Sequence, residues 1–332
     1  MTKPYALLRA GYPFFTTLGM RRVTTYPTDL VVGNDRDIYT LNRTDGAGGQ
    51  IRRTNWDDED LGDIGSGFIW PVQMIAGPDD SLVVSDEGNH TISFWSKDGV
   101  KLNSWGVHGS GVGEMNRPSG IAFDSDGNLL VVDSVNHRIQ KFTVDGTFVS
   151  VFGEKGDGDG QFNMPWGVAI DPNDGAIVVG DWRNNRVQKF SANGEYLMQF
   201  GSTGSGRGEM NRPAGVTVDE HSDIYVADRG NHRVQLFNSD GEFVDVFLGD
   251  AVLSKSGRTY IMANPKVLRS REDTDLVDVK RLRGVMSVRV YGDLMYIPDF
   301  GCHRIQVYRK EAYELSSDQI YARPTAPTLY TV

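Results

Sequence analysis

Arg117-Pro118-Ser119-Gly120 is followed by Leu130-Val131-Val132-Asp133 and then by Asn136-His137-Arg138-Ile139-Gln140-Lys141-Phe142. The same order returns as Met164-Pro165-Trp166-Gly167, Val178-Val179-Gly180-Asp181 and Asn184-Asn185-Arg186-Val187-Gln188-Lys189-Phe190. It returns once more as Arg212-Pro213-Ala214-Gly215, Val226-Ala227-Asp228 and Asn231-His232-Arg233-Val234-Gln235-Leu236-Phe237. Pro71, Pro118, Pro165 and Pro213 stand 47, 47 and 48 residues apart, and Asp86, Asp133, Asp181 and Asp228 follow them at nearly constant distance. The same offset finds two degenerate copies, Pro27 before Asn42 and Gly284 before Asp299. Six copies account for nearly the whole chain. A repeat of this period sets the architecture before any single residue is interpreted, and it makes a recurring residue a structural one first.

Within a copy the signals are those of strands. Gly120 to Phe123 is a short apolar run, Asp124 to Asn128 a tight turn, and Leu129 to Val132 a second apolar run. Arg138 to Thr143 alternates, Asp145-Gly146 is a hairpin turn, and Thr147 to Phe152 is a fourth strand closed by Gly153. Four antiparallel strands in a unit of this length describe a propeller blade. The expected fold is all-β, a six-bladed β-propeller of four-stranded antiparallel blades, with no long helical period in competition. The repeats lie near 26–62, 70–106, 117–153, 164–201, 212–249 and 283–316, in one domain over 1–320, with an insertion at 250–280 and an extended tail at 321–332. Tyr12 to Gly19 reads like another fourth strand and precedes the first repeat, so it is expected to complete the last blade and close the ring. The competing closure uses Ala312-Tyr313-Glu314-Leu315.

These residues resemble the NHL repeat family of six-bladed propellers. The Asn-His-Arg at 136–138 and 231–233, the aspartate three residues earlier and the Pro-x-Gly opening carry the resemblance, which covers roughly residues 26–312. Repeat four has Asn185 where His is usual, repeat two Thr91 for Arg, repeat six Cys302 for Asn, and repeat one has lost most of the motif. The family spans lyases, sensors, RNA binders and protein-interaction platforms, so the resemblance implies the fold and leaves the function to the site.

The formal net charge of −10 gives no general attraction to nucleic acid, which needs Lys and Arg on its phosphates. The lone Cys302 excludes an internal disulfide. Ala6-Leu7-Leu8 is broken by Arg9, too short for the apolar region of a signal peptide, and no stretch has the length of a membrane span. A cytoplasmic protein is the expectation.

The family's topology implies that the first strand is innermost, and that the loops entering it share one face with those joining the second and third strands. Two sets of residues then converge on a central mouth, one at the Pro-x-Gly position and one after the repeated aspartate. Before each proline position stand Tyr26, Trp70, Arg117, Met164, Arg212 and Arg283; after it stand Thr28, Val72, Ser119, Trp166, Ala214 and Val285. Guanidinium groups present paired donors to carboxylate, sulfate or phosphate, and Trp and Tyr offer flat apolar walls. The expected ligand is a small organic anion, with Arg117, Arg212 and Arg283 for the charge and Trp70, Trp166 and Tyr26 for the body. The competing expectation is that each Arg pairs with a loop carboxylate such as Glu114 or Glu209.

The amidating lyases of the family place zinc-binding histidines near the channel, but no histidine occupies the corresponding Pro-x positions here. His90, His137, His232 and His303 recur in one turn and read as turn-capping residues. No metal site is assigned. The cofactor stays unknown: a divalent metal held by carboxylates is left open, and no nucleotide motif is present. His108 and Glu209 are the candidate proton carriers. The repeated aspartates read as acceptors for backbone N–H groups. Asp124-x-Asp126-Gly127-Asn128 reads as a turn rather than a calcium loop. The insertion, with Arg258, Tyr260, Met262, Lys266, Arg269 and Arg271, reads either as a lid over the mouth or as a decorated rim.

Two classes of function follow. One is a binder of a small organic anion, extending to a non-redox lyase or hydrolase step at the mouth, so that enzyme activity is left open. The other is a protein-interaction scaffold without catalysis. Nucleic acid and membrane are not expected as partners.

Overall fold

The structure is a computed structural model that describes residues 7–19, 23–33, 36–46, 48–264, 266–267, 269 and 276–314. Six four-stranded antiparallel sheets stand around an axis. Blade three shows the pattern: Pro118–Phe123 innermost, then Leu129–Asp133, Arg138–Phe142 and Phe148–Phe152. Blade one is built from Pro27–Val32, Ile38–Arg43, Gly49–Thr54 and Asp60–Phe68. Blades two, four and five begin at Pro71–Ala76, Val168–Ile170 and Pro213–Val218. Blade six takes three strands from the C-terminal side, Arg289–Tyr291, Leu294–Asp299 and Arg304–Arg309.

The second strands are continuously apolar because both of their faces are covered. Leu129 and Val131 pack toward blade two, while Leu130 and Val132 pack toward blade four. Side chains alternate across a strand, so one run of four residues feeds two seams. Each fully buried Leu or Val contributes about 1.5–3 kcal/mol of transfer free energy.

The motif glycines allow the inner strands to touch. A Cβ on Gly120 would lie 2.6 Å from the Trp166 carbonyl oxygen, and one on Gly215 would lie 2.7 Å from that of Met286. Those carbonyls accept the Gly120 and Gly215 N–H groups at 2.8 and 2.9 Å, which bonds blade three to blade four and blade five to blade six beside the axis.

The N-terminal strand closes the ring. Phe14–Leu18 pairs antiparallel with Arg304–Arg309, with Thr16 opposite Val307 and Leu18 opposite Ile305. The C-terminal segment contributes differently: Glu311–Glu314 pairs with Leu7–Gly11 in a separate two-stranded sheet. Lys310 adds a buried tie to blade five, where its ammonium meets Asp219 and, at 3.0 Å, Asp223.

The insertion begins inside an ordinary connection. Between blades four and five, Ser202–Thr203 pairs in parallel with Glu209–Met210. Between blades five and six the same arms meet, Leu282 N–H to Leu248 at 2.9 Å and Ala251 N–H to Lys280 at 3.3 Å. The extra residues carry a helix, Lys255–Met262, capped by the Ser254 hydroxyl. The segment entering the helix rests on the outside of blade six, Val252 N–H donating to Thr17 Oγ1 at 3.1 Å, and the helix reaches blade one, Ser256 N–H donating to Asp58 Oδ2 at 2.9 Å. These residues strap the rim across the closing seam. Arg271 and the tail 321–332 lie outside the described residues.

Candidate functional site

The recurring turn residues are occupied by structure. In blade five, the Asp228 carboxylate accepts the Asn211 N–H at 2.8 Å, the Asn231 amide at 2.8 Å, Arg233 Nε at 2.7 Å and Gln235 Nε2 at 3.1 Å. Asp133, Asp181 and Asp299 hold Arg138, Arg186 and Arg304 in the same way. The backbone donors come mainly from the loop entering the first strand, and in blade two also from the turn that follows, at Gly88 and Asn89. The turn histidines cap the next blade. His90, His137, His232 and His303 sit at φ 55–57° and accept through Nδ1 the N–H groups of Arg117, Met164, Gly284 and Tyr26 at 2.9–3.1 Å. Asn185, which tolerates the left-handed region, does the same for Arg212 at 2.8 Å. Asp124 accepts the N–H groups of Asp126 and Asn128, which makes that stretch a turn.

This pattern also fixes the register of blade six. Gly284, with φ 66°, occupies the place of Arg117 and Arg212. Arg283 donates its N–H to Asp299 at 2.8 Å, which is the task of Asn116 and Asn211. Arg283 therefore stands one position outside the ring. It borders a rim cavity of about 380 Å³ with Asn231, His232, Leu248 and Arg281. Met286, rather than Val285, faces the mouth, where its sulfur lies 3.0 Å from Arg229 Nε.

The two proton-carrier candidates lie in the connections between blades. The Glu209 carboxylate closes its own loop by accepting the Gly206 N–H at 2.7 Å. Glu114 and Gln161 do the same for Gly111 and Gly158, so the position works with or without a charge. His108 is exposed and stacks on His90, ring centroids 4.1 Å apart.

The mouth itself is formed by the residue after each repeated aspartate position: Arg43, Glu87, Ser134, Trp182, Arg229 and Phe300 in ring order. Their convergence shows in their charges. Arg43 of blade one feels Glu87, Arg229 and Arg117, from blades two, five and three. Arg43 is 8% exposed, donates Nε to the Pro71 carbonyl at 2.9 Å and lies 4.4 Å over the Trp70 ring. One of its terminal nitrogens is buried without a hydrogen-bond partner. Burial pulls its pKa down to about 10, against the attraction of Glu87, so it stays charged at neutral pH. Arg229 is also held below its ordinary value, by burial and then by Arg212.

Glu87 is the acid of this ring. Its buried side chain meets Arg117 Nε at 3.2 Å and a terminal nitrogen at 2.7 Å, both on Oε2. Burial pushes its carboxyl above the usual range despite Arg117. Arg117 thus does pair with a carboxylate, but with Glu87 rather than Glu114. Arg212 lies 5.4 Å over Trp182, and Trp182 packs on Trp166 at 5.6 Å. Tyr26 packs on His303 and Phe300 at 4.3 and 5.2 Å. The cations come from blades one, three and five, and the aromatic walls from blades one, two, four and six. Arg43, Glu87, Trp182 and Arg229 follow directly from reading out the position after each aspartate.

Below the mouth the channel is narrow between Val72, Trp166, Gly215 and Met286. At its far end opens a cavity of about 310 Å³ lined by Ile75, Phe123, Ile170, Val218 and Tyr291. Arg289 on its wall is matched by buried Asp29, so this hollow offers no free charge. The uncompensated charge lies at the opposite end. Among the described residues no group of three His, Cys, Asp or Glu is placed to hold a metal ion. No helix among them is long and apolar enough to cross a membrane.

Comparison with known proteins agrees with this architecture. The NHL repeat model matches residues 115–142, 162–190 and 210–237. No curated protein matches the sequence significantly. A catalytically inactive virginiamycin B lyase from Staphylococcus aureus with quinupristin is similar in structure, with TM-score 0.55 and 13% identity over 92% of this chain and 88% of that one. A protein of unknown function from Bacteroides thetaiotaomicron gives TM-score 0.61 and 18% identity over 92% of this chain and 76% of its own. A chain of a nidogen/laminin complex gives 0.53 and 16% over 68% and 80%. At these identities the likeness is one of fold. With three matched repeats and six blades of one pattern, the chain is a six-bladed β-propeller carrying NHL repeats.

Proposed function

We propose that the protein binds a small organic anion at the mouth formed by Arg43, Arg117, Arg212 and Arg229. The observation that carries this reading is the buried terminal nitrogen of Arg43, which has no hydrogen-bond partner. A buried donor left unmade costs about 1–3 kcal/mol, and more when charged, so an acceptor supplied by a ligand would recover it. Trp166 and Trp182 would take the apolar body, with Trp70 and Tyr26 at the edges. A non-redox lyase or hydrolase step there needs a proton carrier, and Glu87 has the better position for it than His108 or Glu209. It lies among the mouth arginines, and burial raises its pKa toward the range where proton transfer is efficient. The test is titration calorimetry with aromatic carboxylates, sulfonates and phosphates on the parent, Arg43→Met and Arg212→Ala proteins. Binding by the parent that both variants weaken supports the reading; variants that bind every anion as the parent does would sink it.

The protein-scaffold reading draws on one observation. Leu102, Val107, Val112, Val149 and Val151 are exposed on the outer strands and connecting loop of blades two and three. Apolar exposure of this kind marks contact surfaces. A partner that binds there and ignores the mouth variants would favour it.

A further inference from the structure

We infer that the anion is a compact tetrahedral dianion of the phosphate-monoester type, held between Arg43 and Arg229 with its organic body toward Trp166 and Trp182. This rests on the reading of the mouth as an anion site. Elsewhere among the described residues the buried and half-buried arginines of the turns and the channel are matched one to one: Arg138 with Asp133, Arg186 with Asp181, Arg233 with Asp228, Arg304 with Asp299, and Arg289 with Asp29. The mouth breaks that rule. Arg43, Arg117 and Arg229 share the charge of Glu87, to which Asp86 adds a weaker attraction on Arg43, and Arg117 already takes Glu87 through two nitrogens, while Arg212 is exposed and lies over Trp182. Arg43 spends Nε on a carbonyl, and Arg229 Nε meets a thioether sulfur, a weak acceptor. Neither has an ion pair among the described residues.

Two guanidinium groups that feel each other across the mouth, neither with an ion pair of its own, ask for two negative charges. A monoanion leaves one of them bare in a site where an uncompensated charge is costly. Direction adds a second constraint. Arg43 comes from blade one and Arg229 from blade five, on different sides of the axis, whereas a carboxylate presents two oxygens in a single plane to one guanidinium. A tetrahedral head with three terminal oxygens can face both. The Trp182 indole N–H of blade four, buried without a partner, is a further donor in the same ring.

The experiment is calorimetry at pH 8 with phenyl phosphate, benzenesulfonate, benzoate and inorganic phosphate. Phenyl phosphate should bind at least roughly tenfold more tightly than benzenesulfonate, which has the same shape with a single charge. The advantage should shrink at pH 5, below the second phosphate pKa of about 6, where both heads are monoanions. Arg43→Met and Arg229→Met should each remove the advantage while melting no lower than the parent. Equal binding of phenyl phosphate and benzenesulfonate overturns the dianion and leaves the anion site standing. Binding by none of the four overturns both. Inorganic phosphate binding as tightly as phenyl phosphate supports the dianion and removes the aromatic body.

Discussion

In blade five, Asp228 gathers a backbone N–H, an asparagine amide, an arginine and a glutamine, and every partner is satisfied. In blade one the same place is held by Asn42, whose amide reaches the Val23 carbonyl at 3.2 Å and whose Oδ1 finds nothing. Thr40 Oγ1 and a terminal nitrogen of Arg43 are also buried without partners in this blade. In the blade that keeps the repeat, the aspartate turn is closed to further chemistry because its polar atoms are already used, and only the residue after it, Arg229, is left for the mouth. The blade that has lost it has donors and acceptors left over, and one of them is charged and faces the mouth. The orphaned donor comes from the departure, and the second cation, Arg229, from the variable position beside a well-kept turn.

The largest test of this contrast is Asp228→Ala. It strands the buried Arg233 and should cost about 3–5 kcal/mol in denaturant unfolding. Asn42→Ala removes one hydrogen bond together with an orphaned acceptor, and should cost no more than about 1 kcal/mol. Equal losses would erase the distinction between the two blades. Arg43→Met replaces an uncompensated buried charge by an apolar chain. Its melting temperature should equal or exceed the parent's, by up to about 1–4 kcal/mol in stability, while anion binding falls. A variant that unfolds readily would instead make Arg43 a structural residue.

His232→Ala leaves the Gly284 N–H at the blade five to six seam without its acceptor and should cost about 1 kcal/mol by the same unfolding assay. The smallest expected effect is with pH. Burial holds His90 and His137 below their ordinary value, so folding favours the neutral rings. Their contribution is complete above the unfolded pKa of about 6.5 and is lost as pH falls from there through the folded values. Unfolding curves between pH 8 and pH 5 should show this decline, and parallel replacement of both rings by Gln should flatten it.

Much of the fold was legible because each blade is a local unit. The apolar run Leu129 to Val132, the turn at Asp145-Gly146 and the 47-residue step read directly as strands and hairpins. The turn histidines announced themselves by recurrence. The closing strand at Phe14–Leu18 was legible from its likeness to Phe148–Phe152. The mouth was half legible. Arg117, Arg212, Trp70, Trp166 and Tyr26 came from the position beside the proline, but the equivalence of Arg283 slipped by one residue, because Gly284 and Val285 have no proline to mark the register. Only the partners of the N–H groups, Asp299 for Arg283 and His232 for Gly284, set it.

The sequence by itself determined the number of blades, the strands within them and the seams they bury, since these depend on hydrophobic period and turn chemistry within about 47 residues. The tertiary structure decided what meets at the axis. Arg43, Glu87 and Arg229 are far apart in the chain, and only ring closure brings their charges together. It also decided that the first described residues of the insertion strap the rim, through Asp58 and Thr17, two residues that no local pattern connects to them. Local pairing repeats along a chain and can be read there. Convergence from several blades is a property of the closed ring, where charges removed from water interact most strongly.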